Sequence, residues 1–191
     1  MWHSVHVEII RDVDISAIGP FENADAEDGI LLNHSYVDMR GYSSADARDL
    51  VNEEAELLSE IEAAGDNDDR FEEVLNEIYE SASELGGFDI GTTGAIVALS
   101  AAGAAPISSC NGGLLGETSH SSVVPHILFS VAPWHLQPIL RAAEAADVGL
   151  LNNLQHVEVF ADRIPKLNAF AKHLLDEIES ENVAAAPGGA R

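Results

Sequence analysis

The sequence predicts an α+β protein, with a mixed or antiparallel sheet carrying helices on one face and an N-terminal acidic helical hairpin. Three observations predict it. From Gly91 onward the hydrophobic pattern runs helix, strand, strand, helix, strand, strand, helix. That order segregates helices against a sheet rather than winding βαβ units. Turn residues lie beside the strands, at Asn111-Gly112-Gly113 and Asn152-Asn153, as strands linked by short connections require. Between Ser43 and Gly87 the chain reads as two acidic amphipathic helices broken at Gly65-Asp66-Asn67. The expected organisation is therefore a strand and acidic hairpin over 1–90 as an appendage, an α+β core over 91–181, and a disordered tail over 182–191. A chain of 191 residues accommodates one domain with such an appendage.

Each element has its own signal. Val5 to Ile10, VHVEII, alternates as a strand. Gly19 to Glu27 reads as a loop, and 29–39 holds a short strand. Ser43 or Ser44 caps the first helix, with acids in the first turn where the helix dipole favours them. Leu50, Val51, Leu58 and Ile61 form its apolar side, and Glu53, Glu54, Glu56, Glu60 and Glu62 the solvent side. The second helix begins at Asp68 or Asp69, carries Phe71, Val74, Leu75, Ile78, Ala82 and Leu85 inward, and stops at Gly86-Gly87. Its acids Glu72, Glu73 and Glu77 read as a solvated face, because no Glu-x-x-His pair accompanies them.

Thr92 or Thr93 caps a third helix that is apolar all round, with Gly103 beyond its end. Residues 106–110 form a strand. Val123 to Val131 forms a nearly continuous apolar, and hence central, strand with Pro125 near its start. Pro133 and Pro138 belong to the approach and first turn of a fourth helix through Ala146. Gly149-Leu150-Leu151 and His156 to Ala161 make a hairpin turning at Asn152-Asn153. Asp162 caps the last helix, with Ile164, Leu167, Ala171, Leu174 and Ile178 on its inner face.

The formal net charge is −24, and residues 1–90 hold 24 of the 33 acids. Such a field repels phosphate backbones and anionic lipid, so direct nucleic-acid binding is disfavoured. Only Lys166 and Lys172 are lysines. An acidic, lysine-poor surface fits a plain solubilising coat, adaptation to high salt, or a face for a basic protein partner. No run of about 18 apolar residues occurs, so no membrane span is expected. No basic n-region opens the sequence and one cysteine makes no internal disulfide, so a cytoplasmic location is expected.

One stretch stands apart. Between Gly91 and Leu140 the only Asp, Glu, Lys or Arg is Glu117. Within it lies Ser108-Ser109-Cys110-Asn111-Gly112-Gly113, a cysteine ending a strand and entering a glycine turn, where backbone N–H groups can converge on a ligand. Three roles suit Cys110. It can be a nucleophile beside a histidine, a zinc ligand with His120 and His126 in a set that Glu117 can complete, or a small buried side chain. No Lys or Arg lies near it in the chain. Ser119 and its neighbours form a polar loop over the turn, and His135, beside Trp134, can flank a pocket at a helix start. The ligand-binding candidates are therefore Ser108, Ser109, Cys110, Asn111, Gly112, Ser119 and His135. The metal candidates are Cys110, His120 and His126. No G-x-S-x-G elbow supports a Ser-His-Asp triad, and neither glycine pair matches a phosphate-loop pattern.

These same residues carry a resemblance. A buried helix, a strand ending Ser108-Ser109-Cys110-x-Gly112, a loop, a strand, a helix and a Gly-led strand resemble the wybutosine-type family of tRNA-modifying methyltransferases, over about Gly91 to Ala161. Gly113 stands where that family's motif has arginine. The resemblance implies S-adenosylmethionine as cofactor and a tRNA substrate. Three functional expectations stand together: a small-ligand or zinc site at the Cys110 turn, an S-adenosylmethionine-dependent RNA-modifying enzyme, and an acidic adaptor for a basic protein.

Overall fold

The computed structural model of the chain describes residues 4–20, 43–64, 73, 89–113 and 122–185. Its strands are β1 (Arg11–Asp12), β2 (Ala105–Cys110), β3 (His126–Ser130), β4 (Gly149–Asn153) and β5 (His156–Phe160). Its helices are α1 (Ser44–Ala64), α2 (Thr93–Ala101), α3 (Leu136–Ala145) and α4 (Pro165–Ala185). The five strands form one mixed sheet in the order β1-β4-β5-β3-β2, in which only β1 and β4 pair in parallel. The α+β class is thus met. Residues of the expected second hairpin helix lie, apart from Glu73, outside the described residues, as do the short strand expected within 29–39, Ser119 and His120.

Side-chain alternation fixes which face the helices cover. Ile127, Phe129, Val157, Val159 and Leu150 point into one apolar core with Ala95 to Leu99 of α2, Leu136 and Ile139 of α3, and Leu167, Phe170, Leu174 and Leu175 of α4. Ala47 and Val51 of α1 belong to the same core, so the acidic N-terminal helix is built into the unit. Helix α2 packs against both α1 and α4, and α3 against α4. Almost every residue of α2 is buried, as its all-round apolar sequence requires.

Local chemistry starts and stops these elements. Ser43 and Asp46 make a reciprocal capping box at α1: the Asp46 N–H donates to Ser43 Oγ, and the Ser43 N–H to the Asp46 carboxylate. Helix α2 ends in a Schellman motif, with the Ala104 N–H on Leu99 O and the Gly103 N–H on Ser100 O. Gly103 takes φ +82 there, a region open to glycine at little cost.

Several expectations need correction. The strand VHVEII is not formed; pairing begins only at Arg11. Its partner β4 starts at Gly149, so among the described residues Val5 to Ile9 have no neighbouring strand, and the Val5 N–H turns to Asp162 O. Strand β3 starts three residues later than expected, after bends at Val123 and Val124. The hairpin turns at Leu154-Gln155, with Leu154 at φ +57, and Asn152 and Asn153 end β4. The core decides this, because only that register sets Leu150 beside Val159. Asp162 does not cap α4; its carboxylate accepts from Lys166 Nζ, and Pro165 supplies the first helical residue. Helix α4 also runs on to Ala185, past the expected start of the tail.

Candidate functional site

The sheet face turned away from the helices carries the polar candidates. Cys110, His126 and Phe160 form one cross-strand row, Ser108, Leu128 and Glu158 the next, and Ser130 and His156 a third. Cys110 and His126 are direct antiparallel partners, which brings their Cβ atoms to about 5 Å. His126 Nδ1 lies 2.9 Å from Val124 O. A carbonyl only accepts, so Nδ1 carries the proton and Nε2 is left with a lone pair. The ring can therefore take a metal at Nε2.

The Cys110 turn is held tightly from within. The Gly112 N–H points at Cys110 Sγ at 3.4 Å, and the Gly113 N–H donates to Asn111 Oδ1 at 3.1 Å. Asn111 in turn donates through Nδ2 to Ile90 O at 3.1 Å. Gly112 and Gly113 take φ +78 and +80. A Cβ at Gly112 would stand 2.7 Å from Val123 O, so the next strand's approach passes directly over this glycine. The Gly112 and Gly113 amides are engaged by the turn's own side chains. Cys110 itself is 6% exposed, with Sγ 3.8 Å from Ser122 O.

The other sequence candidates fall in different places. Ser108 shares the helix-free face with Cys110, whereas Ser109 pairs with Ile127 and points to the opposite side. His135 lies past the far end of the β2–β3 ladder, which runs from Cys110 opposite His126 to Ala105 opposite Ser130, about 17 Å of strand. Its ring sits over Gly103 and 6.0 Å from the ring of Trp134. Trp134 is 75% exposed. Among the described residues no three His, Cys, Asp or Glu side chains gather as a metal-binding set.

Two groupings were not foreseen. Ser130 Oγ and His156 Nδ1 hydrogen-bond at 2.8 Å across β3 and β5; the strand period alone hints at this, since both positions alternate with core residues. The larger surprise is Glu54, assigned from its neighbours to the solvent side of α1 and in fact fully buried. Its carboxylate accepts from the Gly91 N–H at 2.9 Å, the Gly94 N–H at 3.0 Å and Asn168 Nδ2 at 2.9 Å. It thus supplies the cap of α2 from another helix, while the Thr92 hydroxyl donates to Asp89 O instead. Burial pushes the Glu54 carboxyl above its ordinary range, against the bonds from Asn168, Gly94 and Gly91 that favour the anion. Position 54 does fall on the Ala47, Val51, Leu58, Ile61 stripe, which is the one signal in the sequence.

Compared with models of known protein families, with curated proteins and with solved structures, the chain matches none. No helix among the described residues is long and apolar enough to cross a membrane.

Proposed function

We propose that the protein binds a metal ion of the zinc type on the helix-free face of the sheet, with Cys110 Sγ and His126 Nε2 as two of its ligands. The observation that carries this reading is the register: Cys110 and His126 are cross-strand partners, and His126 Nδ1 is engaged by Val124 O. A ligating histidine typically gives its second nitrogen to a carbonyl in this way, which orients the ring. The Gly112 N–H aimed at Sγ is the kind of outer contact that a metal-bound thiolate accepts. Sulfur and imidazole together suit zinc, which takes three protein ligands and a water where it is catalytic. His120, the third candidate from the sequence, lies outside the described residues. The test is the metal content of untagged protein, wild type beside Cys110→Ser. About one zinc per chain, lost in the variant, is expected; no metal in either protein overturns the reading.

A second reading keeps the enzyme class implied by the motif. Its support is that Ser108-Ser109-Cys110-x-Gly112 ends a strand and enters a turn locked to Ile90. Titration with S-adenosylmethionine in a calorimeter tests it, and a flat titration removes it.

A further inference from the structure

A groove of about 180 Å³ runs between α1 and α4 on the molecule's surface. Leu58 and Pro165 form its apolar walls, and Ser59, Glu62, Asn168 and Lys172 its polar ones. The two helices are antiparallel. Arg48, early in α1, pairs with Asp176 and Glu179, late in α4, while Val51 and Glu54 meet Asn168. Lys172 and Glu62 therefore stand at opposite ends of the groove. With Glu54 level with Asn168, Glu62 lies eight residues to one side and Lys172 four to the other, about 18 Å of axis between them.

Most polar groups lining this groove have no protein partner among the described residues. Arg11, Arg48, Arg141 and Lys166 each pair with acids. Lys172 and Glu62 make no hydrogen bond or ion pair among the described residues, and neither does the Ser59 hydroxyl. Asn168 donates both amide protons inward, to Val51 O at 3.0 Å and to the Glu54 carboxylate at 2.9 Å. The Val51 carbonyl only accepts, so the amide has one orientation. Its carbonyl oxygen, with no partner among the described residues, is what remains for the groove.

We propose that this groove binds an unblocked dipeptide. Lys172 takes the terminal carboxylate and Glu62 the terminal ammonium. Between them Asn168 Oδ1 accepts the peptide N–H and the Ser59 hydroxyl donates to the peptide carbonyl. An extended two-residue peptide spans about 7 Å, and the flexible Lys172 and Glu62 side chains cover the remainder. The proposal is independent of the Cys110 reading.

The test is an NMR titration of the full chain with glycylglycine, following the Asn168 side-chain amide, whose resonances Glu54 and Val51 hold apart from solvent. Saturable binding in the millimolar range is expected. About a tenfold loss of affinity is expected for N-acetylglycylglycine, for glycylglycine amide, and for the peptide with Lys172→Ala or Glu62→Ala. Both substitutions are at the groove surface, and an unchanged circular dichroism spectrum shows that the fold is kept. No binding of glycylglycine, or binding unaltered in either variant, overturns the proposal. Equal binding of 6-aminohexanoate, which has both charges and no peptide bond, overturns the dipeptide class.

Discussion

Glu54 and Asn168 stand 114 positions apart in the chain and hydrogen-bond at 2.9 Å where solvent does not reach. Through the same carboxylate Glu54 also holds the Gly91 and Gly94 N–H groups at the start of α2. One side chain thus joins α1, α2 and α4. Replacing it by alanine leaves two backbone donors and one amide without acceptors in the interior. At about 1–3 kcal/mol for each unsatisfied buried group, Glu54→Ala is expected to cost about 3 kcal/mol or more, read from urea midpoints.

The same carboxyl gives stability a pH dependence of defined sign. Burial raises its pKa in the folded state. The folded protein therefore holds this proton at pH values where the unfolded chain has released it, and stability falls as pH rises between the two pKa values. The contribution is full below the ordinary glutamate range and is lost as pH rises through the elevated folded value. Glu54→Gln has no such proton. The stability difference between wild type and Glu54→Gln, followed by urea unfolding across the weakly acidic range, should move in favour of the variant as pH rises. A difference flat with pH would show that Glu54 is ionised in both states throughout.

Gly94 offers a sharper test, because helix propensity and packing disagree. In a helix interior, Gly→Ala ordinarily stabilises by about 0.5–1 kcal/mol. Here a Cβ would lie 2.5 Å from Glu54 Oε2 and 3.2 Å from Asn168 Nδ2, and both groups are pinned. Gly94→Ala is expected to destabilise by about 2 kcal/mol. In the Glu54→Ala background the clash is gone, so the second substitution should cost much less. That non-additivity, measured by a double-mutant cycle, separates the contact from a general effect on α2.

How much of this was legible in the sequence varies with the kind of signal. Periodicity found α1, α2, α3, α4 and the strand pairs, because each buries an apolar face against a neighbour. It failed for Val5 to Ile9, whose pattern is that of a strand but which have no strand beside them among the described residues. It misplaced the β4–β5 turn, since Asn152-Asn153 has the better turn chemistry while the Leu150–Val159 pairing sets the register. Cys110 and His126 were both named, and their pairing across β2 and β3 makes them neighbours. Their separation from His135 depends on ladder direction, which no local pattern reveals. Glu54 was read as solvated because glutamates surround it; only the three donors from α2 and α4 make its burial tolerable, and those are long-range contacts. Ser119 and His120 lie outside the described residues.

The Cys110 turn yields a prediction about reactivity. Gly112 sits at φ +78 with Val123 O where its Cβ would be. Alanine there meets both a disfavoured backbone region and a backbone clash, so Gly112→Ala should lose about 2 kcal/mol and push the 122–125 segment off the turn. In the native protein the buried thiol should react slowly with an aromatic disulfide reagent. In Gly112→Ala the rate should rise well beyond what the loss of global stability accounts for. Equal rates, once corrected for unfolding, would mean that the Val123 approach does not shield the sulfur.

Salt should stabilise this protein even though it weakens the ion pairs on display. The acids late in α4 are held by two arginines: Arg48 bridges Asp176 and Glu179, and Arg141 bridges Glu177 and Glu181. These pairs are largely exposed, and each such pair is worth about 0–1 kcal/mol. They act against the self-repulsion of a chain with net charge −24. Raising ionic strength from 0.1 M to 1 M shortens the screening length from about 10 Å to about 3 Å, which removes long-range repulsion before it removes contacts at 3 Å. The melting temperature should therefore rise with sodium chloride. Arg141→Gln should cost about 0.5 kcal/mol at low salt and almost nothing at 1 M. A melting temperature that falls with salt would instead show the Arg48 and Arg141 bridges to dominate. A protein already fully stable at low salt would leave its acidic surface free for the partner role, where salt-sensitive capture of a basic protein is the distinguishing result.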